Sequence, residues 1–269
     1  MSVICLLAIY RKKLYNRVMP FAMAGLLVAL GLLPSLIWMF LFLKEDCHPE
    51  PRYLLTKTFL MGIIISPLAI LLQLAFSRIG SLGPIDYFIV DGSLFFLWAA
   101  FVEEFLKYYA VKIVALNDSS FDEPVDAMIY MMMAGLGFAA IENILVLFRT
   151  IPNGISITVT VWTLRSLGAT LLHALSSGLL GYFLALSWFF QDHRKKLVVI
   201  GVLVSTLFHF TFNIFLAGSD NQIGGLLFSV GTLCVMALLV SLLFARMRHR
   251  SPNAIPKLTA ATEKEISIT

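Results

Sequence analysis

Charge is scarce in this sequence. Asp, Glu, Lys and Arg make up 13% of its 269 residues, whereas 59% are hydrophobic and mean hydropathy is +0.88. An ordinary soluble domain carries about 25% charged residues, so this scarcity excludes a soluble globular fold. Long polar stretches are equally rare, which leaves no room for a second, soluble domain. Cysteine is sparse too: Cys5, Cys47 and Cys234 stand far apart, with neither CxxC nor paired spacing. Neither a disulfide framework nor a thiolate zinc site follows from them, and they read as small apolar fillers. No internal repeat of fixed period stands out, and the 11 methionines and 22 phenylalanines read as packing or lipid-facing residues.

What the sequence does have is apolar runs. Crossing a hydrocarbon core takes about 20 residues of helix, and such runs recur at about 20–43, 54–76, 88–116, 124–148, 160–190, 197–216 and 222–246. Backbone left unpaired in lipid is too costly for anything but helix here. The expected architecture is therefore all-α: a polytopic membrane bundle of about seven transmembrane helices. Residues 1–18 are expected to form an N-terminal extension, 19–250 the membrane domain, and 251–269, polar with Pro252 and Pro256, a disordered cytoplasmic tail.

The formal charge of +4 sits in clusters at 11–17, 191–196 and 246–257, beside apolar spans. That distribution follows the positive-inside rule and does not suggest a nucleic-acid partner. The 191–196 loop and the basic end at Arg246, Arg248 and Arg250 put the C-terminus in the cytoplasm. Counting back places the N-terminus outside, against the charges Arg11, Lys12, Lys13 and Arg17; a start at Met19 removes the conflict.

An ionisable side chain at mid-bilayer costs roughly 2.5–3.5 kcal/mol on insertion scales, so such residues are functional candidates by default. The third span carries Glu103 and Glu104, with Lys107 one turn later and able to pair with one of them. The fourth carries Glu142 and Asn143, the fifth Arg165 and His173, and the sixth His209 and Asn213, the last two sharing a face at i, i+4. Groups of this kind satisfy one another in lipid by converging, which defines a polar pocket. Such a pocket suits amide hydrolysis: a carboxylate takes a proton from water while imidazole and amide donors stabilise the oxyanion. GxSxG and HExxH are both absent from the sequence. Buried carboxylates and histidines also build proton or ion relays, so a coupled transporter is the alternative; no inverted repeat supports it. A non-catalytic scaffold, its polar residues merely tying helices together, is a third reading.

The ordered set of these residues resembles the PrsW family of intramembrane proteases, in the wider group with CAAX prenyl proteases and bacteriocin-processing relatives. Asp46 followed by Pro49, Glu50 and Pro51 is similar to the family's loop after the first span. Glu103, Glu104 and Lys107 resemble its EExxK, and Gly137, Phe138, Glu142 and Asn143 its GFxxxEN. Arg165 with His173, and His209 with Asn213, resemble its later motifs, and the likeness covers about 19–250. The resemblance implies that Glu103 activates water, that Glu104 and Glu142 position it, and that His173, His209 and Asn213 bind the substrate carbonyl or complete the site. Lys107, Arg165 and Asn143 would support them. The prenyl proteases carry His where this chain has Glu142.

A metal-free site is the favoured expectation, with zinc the alternative and His173, His209 and Glu142 as its candidate ligands. The implied substrate is a single-pass membrane protein, in the family's best-known case an anti-sigma factor cut in a stress response. The implied location is the cell membrane.

Overall fold

The computed structural model describes residues 21–44, 50–80, 92–218 and 221–250. Eight α-helices follow in order: α1 (Phe21–Leu43), α2 (Arg52–Gly80), α3 (Ser93–Val114), α4 (Asp126–Thr150), α5 (Ile155–Leu167), α6 (Ala169–Phe189), α7 (Arg194–Gly218) and α8 (Gln222–Arg250). There is no strand among the described residues. The expected N-terminal extension, Met19, Asp46 and the C-terminal tail lie outside them.

Six helical stretches are long and apolar enough to cross a membrane, with α5 and α6 counted as one. The 22-residue α3 is not among them, because Glu103, Glu104 and Lys107 sit in its middle. Among the described residues, α3 is thus the long apolar helix set apart by its buried charges.

One expectation needs correction. The fifth span, read as one helix over 160–190, begins at Ile155 and breaks at Gly168, whose φ and ψ are −98° and −82°. Gly154 has a φ of +115°, a conformation that favours glycine, and there the chain turns back after α4. The break makes α5 a short helix on the rim, with Thr158 its one buried residue. Two indoles pin it to the bundle: Trp162 Nε1 donates to Leu30 O at 2.8 Å, and Trp38 Nε1 donates to Ser166 O at 2.8 Å.

The centre of the bundle is α4, buried along its whole first half from Asp126 to Ala140. Lipid tails give helices no hydrophobic drive to associate, so close approach of small residues does the work. Gly62 of α2 abuts Ala134 O, and Gly137 abuts Phe59 O. On the opposite side, an added Cβ at Gly135 would stand 2.5 Å from His173 O, and one at Gly181 2.6 Å from Met128 Cα. These contacts fix α6 against α4 without intervening side chains.

At the end where α1, α3, α6 and α8 finish, the 115–125 loop is tied down by polar contacts. Tyr53 Oη donates to Asp118 Oδ1 at 2.9 Å, and Asp126 Oδ2 accepts the Glu123 N–H at 2.8 Å. The Ser120 backbone N–H, with the Tyr53 hydroxyl, holds the Asp118 carboxyl below the usual carboxylate range. Tyr130 donates to Glu50, whose carboxylate is buried with Asp126 at the same end.

Candidate active site

The polar residues of five helices meet beside α4. On α3, Glu103, Glu104 and Lys107 lie one turn apart and all are buried. Lys107 Nζ donates to Glu104 Oε1 at 2.7 Å and stands 4.0 Å from Glu103 Oε2, so it pairs with Glu104. The same ammonium donates to His173 Nδ1 at 2.8 Å and lies 5.0 Å from the Phe138 ring centroid. Lysine has donors only; a charged Lys107 therefore makes His173 Nδ1 the acceptor and puts the ring proton on Nε2. From there His173 donates to Glu142 Oε2 at 3.1 Å.

Glu104 Oε1 also accepts from Ser176 Oγ at 2.9 Å and from His209 Nδ1 at 2.9 Å. That leaves His209 Nε2 facing Glu103 Oε2 at 3.6 Å. The two imidazoles meet edge to face, centroids 5.1 Å apart. Glu142 accepts from Arg165 Nη2 at 2.9 Å, and Asn143 Oδ1 accepts from Arg165 Nε at 2.8 Å while Asn143 Nδ2 donates to Thr170. Arg165 is thus anchored on both neighbours at the end of α5, one turn before the break.

Glu103 is held differently from the others. Its Oε1 accepts from Gln73 Nε2 of α2 at 2.9 Å, and its Oε2 is buried with no hydrogen-bond partner. Gln73 escaped the sequence reading because an amide in an apolar span is not ionisable and stands alone there; its place seven residues before the helix end carried no motif. Asn213, one turn beyond His209, is half-buried and makes no side-chain hydrogen bond to described residues. Every other predicted residue belongs to the connected network.

Exposure shows where the site opens. The side chains of Glu142 and Arg165 are 25% and 23% exposed, against 7% for Glu103 and 0% for Glu104 and Lys107. The cluster is reached past Glu142 and Arg165, beside α5.

Three ligand atoms, one each from Glu103, His173 and His209, lie within 4.8 Å of one another. Glu103 Oε2 is 3.6 Å from His209 Nε2 and 3.8 Å from His173 Nδ1, close to the roughly 3.5 Å between neighbouring ligands that zinc bonds of about 2.1 Å produce. Glu104 behind His209 supplies the carboxylate that zinc-bound imidazoles ordinarily carry. The donor set fits zinc, provided Lys107 releases His173 Nδ1. Glu142, a candidate ligand by sequence, is not in this trio: Arg165 engages it on the far side of the His173 ring.

The family described as "PrsW family intramembrane metalloprotease" matches residues 50–243. Protease PrsW of Oceanobacillus iheyensis is 28% identical over 229 residues, covering 85% of this chain and 98% of its own. Protease PrsW of Bacillus subtilis is 26% identical over 199 residues, covering 73% and 85%, and that of Clostridioides difficile 28% over 196 residues, covering 71% and 79%. No solved structure matches. The transporter alternative finds no support among these relatives. With its membrane-spanning helices and a buried cluster of carboxylates and imidazoles, the chain belongs to the PrsW family of intramembrane proteases.

Proposed function

We propose that this protease cuts a single-pass membrane protein by water that Glu103 activates. The observation that carries the reading is Glu103 Oε2: buried, without a partner, and facing His209 Nε2 across 3.6 Å. Water bridging the two atoms from the side would meet a proton acceptor at one and an imidazole nitrogen at the other. Gln73 holds the far carboxylate oxygen and so aims the near one. Lys107 and Glu104 orient the two imidazoles through their Nδ1 atoms. Asn213, on the His209 face and without a side-chain hydrogen bond among the described residues, donates to the oxyanion. Arg165 and Glu142 form the rim past which the substrate backbone enters.

A second reading rests on the ligand trio and on the family's description as metalloproteases. In it Glu103, His173 and His209 hold zinc, and a bound zinc lowers the pKa of its water and polarises the scissile carbonyl. Glu104 and Glu142 then orient the imidazoles from behind. Elemental analysis separates the two. Under the first reading zinc is well below one per chain and activity survives prolonged chelation. Zinc near one per chain, falling in His173→Ala and His209→Ala, selects the second.

The basic residues near helix ends support the orientation. Lys44, Arg52, Lys112, Arg194, Lys195 and Arg246 gather at the end where α1, α3, α6 and α8 finish, while Arg78 and Arg149 are near the other. That basic end is the cytoplasmic one, in the cell membrane, with the C-terminus inside. By family resemblance the substrate is of the anti-sigma type. Co-expression with candidate single-pass proteins, wild type against Glu103→Ala, tests this: a fragment that appears only with wild type supports the substrate assignment.

A further inference from the structure

Glu103 and His209 are too enclosed for a peptide to reach them as the bundle stands: their side chains are 7% and 2% exposed. Admitting a substrate backbone therefore takes movement of one wall. α4 and α6 are buried along most of their length, and close glycine contacts hold them together. By contrast α5, beside the opening at Glu142 and Arg165, buries Thr158 alone. The chain does not need α5 to cross the bilayer, since the 21 residues of α6 make about 31 Å of helix by themselves.

The polar groups of α5 are largely satisfied within it. Thr158, Thr160, Thr163 and Ser166 each donate a hydroxyl to the carbonyl four residues back, so the helix can shift in lipid without stranding them. Glycine stands at both ends, Gly154 at a φ of +115° and Gly168 at the break. Among the described residues, its hydrogen bonds to other helices come from three side chains. Trp162 Nε1 donates to Leu30 O, the carbonyl that Pro34, lacking an N–H, leaves without a helical donor in α1. Trp38 Nε1 of α1 donates to Ser166 O, which the end of α5 leaves free. Arg165 grips Glu142 and Asn143. Two indoles thus fasten the helix to α1 through spare carbonyls, and a guanidinium fastens it across the mouth of the site.

We propose that α5 is the gate by which the substrate span enters, hinged at Gly154 and Gly168 and latched to α1 by Trp38 and Trp162. Its role in entry rests on the protease reading, whereas its movement does not, and the test separates the two. The full-length chain, its three cysteines replaced by alanine, carries Thr170→Cys in phosphatidylcholine vesicles. Thr170 is buried just past the break and bonds the Asn143 that Arg165 grips, so N-ethylmaleimide reaches a cysteine there when α5 lifts. Trp38→Phe with Trp162→Phe removes both indole bonds and should speed this labelling about tenfold, as the loss of two ordinary hydrogen bonds from a local opening would. Ser205→Cys, in the buried first half of α7, should stay unreactive in the same background. Labelling at Thr170→Cys that the indole substitutions leave unchanged overturns the gate. So does an equal rise at Ser205→Cys, because the whole bundle would then have loosened. Co-expressed with a single-pass protein that wild type cuts, the indole variant should yield more fragment. Faster labelling without more fragment means that α5 moves but is not the entrance, which also overturns the proposal. Failure of wild type to cut any candidate counts against the protease reading and leaves the labelling result standing.

Discussion

Glu103 is the one carboxylate of the cluster without a cation of its own. Glu104 has Lys107 at 2.7 Å and Glu142 has Arg165 at 2.9 Å, so with neutral imidazoles three acids face two bases and one negative charge is left over. That surplus resides at Glu103, where a proton or a cation from outside would neutralise it. Glu103→Gln keeps the shape and the Gln73 contact but removes the acceptor. It should lower cleavage by about 10²-fold or more with the protein inserted and accumulating normally, read by immunoblot of enzyme and substrate. Lys107 behaves otherwise. Its ammonium bonds both Glu104 and His173, so Lys107→Met strands a buried carboxylate at a cost of about 3–5 kcal/mol. The expected result is reduced accumulation and a lowered melting midpoint as well as lost activity; a variant as stable as wild type would show that Glu104 finds another partner.

The helices themselves were largely readable as runs of apolar residues, because a lipid-facing helix declares itself by length and hydropathy. The ends of α1, α4 and α7 fall within about three residues of where those runs stop. Gly168 was not readable as a break, since glycine is common within membrane spans and the ties that hold α5 against α1, from Trp38 and from its own Trp162, join residues far apart in sequence. Most site residues were readable as charges out of place, and Asn143 and Asn213 by their spacing from Glu142 and His209; Gln73, uncharged and with no such neighbour in its span, was not. The spacing of Glu142 from Asn143 likewise says nothing of Arg165 reaching it from another helix. The close seam between α4 and α6 is also invisible in spacing. Gly135→Val should push His173 and Ser176 away from Glu104 and Lys107, because its Cβ begins 2.5 Å from His173 O. Cleavage should fall at least about tenfold, on the scale of a displaced catalytic group, with the same change at Gly25, where nothing lies within 4 Å, leaving activity intact.

Taken whole, the bundle places its cluster off centre. Glu103 is near the middle of α3, but Glu142 lies eight residues and His209 nine residues from the ends of α4 and α7 opposite the basic face, about 12–14 Å. With the basic end cytoplasmic, as proposed, water and substrate would reach the site from the extracytoplasmic half, past Glu142 and Arg165. A cysteine at Asn213 should react with an impermeant thiol reagent added outside intact cells. Phe212, its neighbour, is 3% exposed and should stay unlabelled. Labelling of Asn213→Cys only after the cytoplasmic face is opened would reverse the orientation.

The most direct measurement of the central claim is cleavage in proteoliposomes that hold only the purified protease and a single-pass substrate, with the product's new terminus mapped by mass spectrometry. The account predicts a cut within the outer half of the substrate's span by wild type and none by Glu103→Gln. Cleavage by Glu103→Gln at the wild-type rate would contradict it.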